Sequence, residues 1–118
     1  MLPRSVALSK VATDKLRAMK ASTGLTPNIL ARIAIMLAIE EGTNLANASV
    51  GDADGQVLSK DVLFGEHVEI YEVLINQFKH DMNIECSVTE IIALLIEAGV
   101  HKMGHVKTLT DLVNLGHG

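Results

Sequence analysis

Residues 23–28, Thr23-Gly24-Leu25-Thr26-Pro27-Asn28, decide how this chain folds. Gly24 ends a helix in the left-handed conformation that glycine adopts without a Cβ clash. Thr26-Pro27 starts the next, with Thr26 as N-cap and Pro27 at the first helical position, where its missing N–H would be unpaired anyway. Two helices therefore meet at a short turn. Upstream, Ser9 and Thr13 offer helix-start chemistry for a run to about Ser22, in which Ala12, Leu16 and Met19 share one face. Downstream, the helix to Glu41 and its stop at Gly42 is apolar on every side: Ile29, Leu30, Ile33, Ile35, Met36, Leu37 and Ile39. A helix apolar all round must be buried, and in a chain of 118 residues that implies burial of part of it by another subunit.

Before these helices, Ser5-Val6-Ala7-Leu8 forms a short extended stretch after Pro3. Beyond them, residues 43–56 are rich in Asn, Ser, Gly and Asp and read as a surface loop. Val57-Leu58 and Val62-Leu63-Phe64 flank Ser59-Lys60-Asp61. A helix from about Gly65 to Asp81 presents Val68, Tyr71, Ile75 and Phe78 on one face, and Ser87 caps an apolar helix through Ile91, Ile92, Leu95, Ile96 and Ala98. Gly99 interrupts that helix without ending it, and Thr108-Leu109-Thr110-Asp111 starts a last short turn. The second half repeats the first loosely, with no residue-level repeat, and the likeness is read as a coincidence of packing. The fold class is mainly α, a compact helical domain with few or no strands. It is one domain over residues 1–118: a basic N-terminal module (1–42), a loop (43–56) and an acidic helical body (57–118).

The formal charge of -4 hides an asymmetry. Residues 1–32 hold Arg4, Lys10, Lys15, Arg17, Lys20 and Arg32 against the single acid Asp14, a net +5, whereas the remainder carries -9. A basic first quarter on an acidic body suggests one surface that faces a polyanion, while the body discourages non-specific wrapping. On the first helix Lys10, Arg17 and Lys20 lie together beside the core face, and Lys15 projects on the other flank. Only Phe64, Tyr71 and Phe78 are aromatic, which argues against a base-stacking surface for single strands. The longest apolar run, Ile33 to Ile39, is far short of the roughly 20 residues of a membrane span. The N-terminus lacks a signal-peptide apolar region, and one cysteine fits a reducing, cytoplasmic compartment.

Few residues suggest catalysis or metal binding. Asp52-Ala53-Asp54-Gly55 is similar to part of a calcium loop, but the further acceptor position and the closing Glu are missing. His101 and His105 are four apart, with Gly104 between them and no third ligand of comparable spacing. Cys86 precedes the Ser87 helix start, which favours a thiolate, but Glu85 opposes it and no second Cys or evident base accompanies it. Glu66-His67 and Glu40-Glu41 read as helix-terminal and surface residues. The expectation is no catalytic residue, no metal and no cofactor.

The order strand, basic amphipathic helix, Gly-containing turn and buried helix over residues 4–41 is similar to the ribbon-helix-helix half-module, in which two chains pair their strands into a ribbon that enters the DNA major groove. With Val6 and Leu8 facing the core, the outward set is Ser5, Ala7 and Ser9, which offers little for bidentate base reading. Phosphate contact fits better, through the basic side chains and the free N–H groups at Thr26-Pro27-Asn28.

Three blocks are more specific: Asp14-Lys15-Leu16-Arg17; Thr23-Gly24-Leu25-Thr26-Pro27-Asn28-Ile29-Leu30-Ala31-Arg32-Ile33-Ala34; and Leu63-Phe64-Gly65-Glu66. With Leu2-Pro3 and Ala98-Gly99-Val100-His101 they resemble the DndE family of the bacterial DNA phosphorothioation system over most of the chain. The resemblance implies a tetrameric DNA-binding protein that prefers nicked duplex. It would act beside a cysteine desulfurase and other phosphorothioation proteins that replace a non-bridging phosphate oxygen by sulfur. Carried over, the family's basic helix surface falls on Lys15, Arg17 and Lys20, and its turn on Thr23 to Pro27.

The expected DNA contacts are Lys10, Lys15, Arg17, Lys20 and Arg32, with Gly24, Thr26 and Pro27 supporting the turn and the oligomer. The function expected is a non-catalytic DNA-binding subunit, with no membrane partner. The competing readings are a protein–protein adaptor whose basic face docks an acidic partner, and a minor enzyme that uses Cys86 or the histidines.

Overall fold

The structure, a computed structural model, describes residues 2–42, 45 and 50–104. The elements run β1 (Ser5–Ala7), α1 (Lys10–Thr23), α2 (Pro27–Glu40), β2 (Val57–Ser59), α3 (Lys60–Phe64), a 3₁₀ turn (Gly65–His67), α4 (Val68–Asp81) and α5 (Val88–Lys102). The fold is mainly α, as the sequence suggests. The expected turn at Thr108–Asp111, His105 and much of the 43–56 loop lie outside the described residues.

Four helices start on the same local chemistry. The hydroxyls of Ser9, Thr26, Ser59 and Ser87 accept from the N–H three residues on, at 3.0, 3.5, 3.3 and 3.2 Å. Each satisfies one of the N–H groups that a helix start leaves without a partner. Gly24 ends α1 at φ 79°, and its own N–H returns to the carbonyl of Lys20.

β1 pairs antiparallel with β2 of the same chain, in the register Ser5↔Ser59, Val6↔Leu58 and Ala7↔Val57. Val6 and Leu58 point inward and are buried, while Ser5, Val57 and Ser59 face solvent. The two halves meet element to element: β1 pairs with β2, and α2 makes its most extensive contact with α5. A three-residue strand cannot satisfy its own backbone, and the second half supplies the partner that a second chain supplies in a ribbon-helix-helix dimer.

The α2–α5 contact sets the geometry of the core. A Cβ built on Gly99 would lie 2.1 Å from the carbonyl oxygen of Ala34, so only glycine permits this approach. On the α2 side Ala34 meets Gly99, and Ala31 and Ala38, on the same helix face, are fully buried with it. Leu30, Ile35, Ile91, Ile92, Leu95 and Ile96 close around it with no exposed surface. Most of the apolar girdle of α2 is consequently covered inside the chain rather than by another subunit. Ile29 and Met36 remain 38% and 39% exposed. At the far end of the pair, Lys102 and Glu41 form a partly exposed ion pair at 2.6 Å, of a kind that contributes under about 1 kcal/mol. No single described helix is long and apolar enough to cross a membrane.

Gly99 tests this packing. Alanine is the better helix former by about 1 kcal/mol, yet Gly99→Ala drives a methyl into the backbone of α2. The expected result in urea denaturation is a net loss of about 1–3 kcal/mol, the range for overpacked cores. A neutral or stabilising effect would show that the two helices do not approach this closely.

Candidate nucleic-acid interface

α1 lies with one face on the core and the other in solvent. Ala12, Thr13, Leu16 and Met19 are buried. Lys10, Arg17 and Lys20 are exposed and Lys15 is half-buried. One short helix thus presents four of the five cations singled out from the sequence. Lys10 and Arg17, seven residues apart, fall on one line, with Asp14 also exposed between them.

Arg32 stands apart from this group. Its Nε donates to the carbonyl of Leu63, and its Nη2 donates to that of Val62 at 3.1 Å. These carbonyls belong to the last turn of α3, where a helix leaves its C=O groups without intrahelical partners. The guanidinium caps that turn and ties α2 to it. A Cβ at Gly65 would come 3.2 Å from Nη2, so the turn is close-fitted around the guanidinium. Beside it, Tyr71 packs against Phe64 with ring centroids 4.9 Å apart and planes tilted by 39°. Burial raises the phenol pKa above its usual 10.0, and the charge of Arg32 opposes that rise. Sequence reading placed Arg32 with the DNA contacts because its only local signal is charge; the carbonyls that engage it lie some thirty residues away.

The N-terminus of α1 is closed by groups of its own chain. Asp52 Oδ1 accepts from the backbone N–H of Lys10 at 2.9 Å and of Asp54 at 3.0 Å. Ser9, expected to face outward, is only 2% exposed because its hydroxyl does two jobs. It caps Ala12 and donates to the Glu97 carboxylate, 2.9 Å from Oε2 and 3.0 Å from Oε1. Thr13 Oγ1 donates to the Ser9 carbonyl at 2.8 Å and accepts from the Gln56 N–H at 2.9 Å. Gly55 packs so closely here that a Cβ would sit 2.1 Å from Thr13 Oγ1. The calcium-loop-like stretch Asp52-Ala53-Asp54-Gly55 is thereby a dock for α1. Among the described residues no three His, Cys, Asp or Glu side chains converge as a metal site.

Cys86 is half-buried against the hydrophobic core, and His101 is exposed on α5. Gly24 and Thr26 take up the turn conformations expected of them, and Pro27 opens α2.

Two outcomes check this geometry. Arg32→Ala leaves two helix-end carbonyls without their charged donor, so the chain should lose roughly 1.5–3 kcal/mol in thermal or chemical denaturation. Undiminished stability would mean that the guanidinium is not engaged. The second concerns acid. The Asp52 carboxyl is held below its ordinary value of 3.8 first by the Asp54 N–H and then by that of Lys10, with the Lys10 charge adding to both. A folded-state pKa below the unfolded one gives stability that is present above the unfolded value and lost as pH falls through the folded one. The stability advantage of the protein over Asp52→Ala, followed by denaturation at a series of pH values, should therefore be constant well above pH 3.8 and shrink as pH falls below it. An advantage independent of pH would contradict the ionised cap.

The family model for the DNA sulphur modification protein DndE matches residues 5–111. The crystal structure of DndE from Escherichia coli B7A, involved in DNA phosphorothioation modification, superposes with a TM-score of 0.68 at 29% identity, covering 87% of this chain and 99% of that one. A Gly-to-Lys mutant of DndE, also described as involved in DNA phosphorothioation, gives a TM-score of 0.70 at 27% identity with the same coverage. A comparison with curated protein sequences gave no match. A family model matched along almost the whole length agrees with solved structures of the same fold: the chain belongs to the DndE family, the DNA sulphur modification proteins of DNA phosphorothioation.

Proposed function

We propose that this protein is a non-catalytic, cytoplasmic DNA-binding subunit of the phosphorothioation system, and that it engages nicked duplex through the α1 surfaces of a homotetramer. The observation that carries the reading is the placement of Lys10, Lys15, Arg17 and Lys20 on the solvent side of one helix whose other side is locked into the core. The rest of the chain is acidic, so a polyanion has one face to approach. The outward residues of the ribbon, Ser5, Ala7, Val57 and Ser59, offer little to base edges, so the contact is to phosphate and insensitive to sequence.

Tetramer formation would bring four such patches together and multiply a weak contact. Ile29, Ile33 and Met36, which α5 leaves partly uncovered, are available to that assembly. The preference for nicked DNA is what the family resemblance implies, and bending supplies a physical reason for it. Smoothly bending an intact 20–30 bp site costs on the order of 1–6 kcal/mol, and a nick relieves that cost when several patches must be reached at once. The partners in this reading are the other phosphorothioation proteins, including the cysteine desulfurase. A second reading, an adaptor for those proteins, is favoured by Ile70 and Val73, 58% and 68% exposed on the acidic α4.

The test is the salt dependence of duplex binding. Each phosphate neutralised contributes about -0.9 to the slope of log affinity against log salt. Arg17→Ala and Lys20→Ala should each weaken binding to unrelated sequences equally and flatten the slope by about that amount. A shift in sequence preference with the slope intact would contradict phosphate contact. A 12.7 kDa monomer in light scattering would remove the tetramer.

A further inference from the structure

We propose that Asp52 sets the boundary of the DNA contact on α1: its fixed carboxylate keeps phosphates away from the first turn and Lys10, and confines the duplex to Lys15, Arg17 and Lys20. The inference rests on the DNA-binding reading above and goes beyond it by assigning a limit to the footprint.

Three observations carry it. First, the carboxylate is held in place. Asp52 Oδ1 accepts from the N–H groups of Lys10 and Asp54, and its loop is fastened to the start of α1. That fastening runs through Leu8 N–H to the Gln56 carbonyl at 2.9 Å, Gly55 N–H to the Leu8 carbonyl at 2.8 Å, and Gln56 N–H to Thr13 Oγ1 at 2.9 Å. Second, the end of α1 that ordinarily attracts phosphate is already occupied by anions of this chain, with Asp52 on the Lys10 N–H and Glu97 on Ser9. Third, distance separates the cations. Asp52 binds the backbone of Lys10 itself, whereas Arg17 and Lys20 lie about 10 and 15 Å further along the helix axis. The Debye length is about 8 Å at physiological ionic strength, so the carboxylate acts most strongly on Lys10, less on Lys15 and Arg17 and least on Lys20, and Asp14, exposed between Lys10 and Arg17, adds to it.

Asp52→Asn is the informative substitution, because an amide oxygen still accepts from both N–H groups while the charge is lost. Binding of a nicked duplex, followed by fluorescence anisotropy over a salt series, should tighten by about fivefold at low salt. The slope should steepen by about one phosphate, -0.9. Adding Lys10→Ala should abolish that gain. Asp54→Asn, which leaves the cap intact, should give a smaller gain of the same sign, and it serves if Asp52→Asn proves poorly folded by circular dichroism. Unchanged affinity and slope in both folded variants, with normal salt-dependent binding by the unaltered protein, would overturn the boundary. Failure of the unaltered protein to bind would instead overturn the DNA reading on which it rests.

Discussion

Among the described residues, the most extensive contact between two elements is the approach of α5 to the backbone of α2 at Gly99 and Ala34, and the core is built on it. An interior glycine weakens a helix by about 1 kcal/mol relative to alanine, and here that cost is offset by burying Ile35, Leu95 and their neighbours completely. Because α5 lies so close, α2 becomes the central helix, covered by α1, α3 and α5 at once. α1 is thereby left on the outside, with one face for the core and one for solvent. The same arrangement brings Arg32 of α2 to the last turn of α3, where it serves the fold.

The electrostatic design follows from that architecture. Basic residues are concentrated in the outer helix, and acids are spread over the body. The loop at residues 50–56, which leads into β2, brings the Asp52 carboxylate to the first turn of α1. It is both a structural cap and a charge placed at the margin of the cationic face. One residue can fill both roles because its hydrogen bonds are to backbone N–H groups, which an uncharged acceptor still engages, though less strongly than the carboxylate does.

The features legible in the sequence were those whose cause lies within a few residues. Ser9, Thr26 and Ser87 cap helices, and Gly24 terminates one, because hydroxyls reach three residues ahead and a left-handed position calls for glycine. The cationic face of α1 was legible for the same reason, since a 3.6-residue period fixes it. The features that escaped depend on residues far away in the chain. Gly99 looked like a mere interruption because Ala34 is 65 positions distant. Asp52-Ala53-Asp54-Gly55 reads from sequence only as an incomplete calcium-loop fragment, and its docking role is hidden because its partners, Lys10 and Thr13, lie some forty residues upstream. Arg32 reads from sequence as one more surface cation, and the all-round apolar α2 points to a second subunit, because the carbonyls that engage Arg32 and the glycine on α5 that α2 packs against are distant in the chain.

Lysine footprinting tests the central claim, that DNA rests on the outer face of α1 while the body stays clear, most directly. Acetylation of the protein with and without a nicked duplex, read by mass spectrometry, compares Lys15 and Lys20 on α1 with Lys79 on α4 and Lys102 on α5. The account predicts that the duplex protects Lys15 and Lys20 and leaves Lys79 and Lys102 as reactive as before. Protection centred on Lys79 or Lys102, or spread evenly over all four, would contradict it.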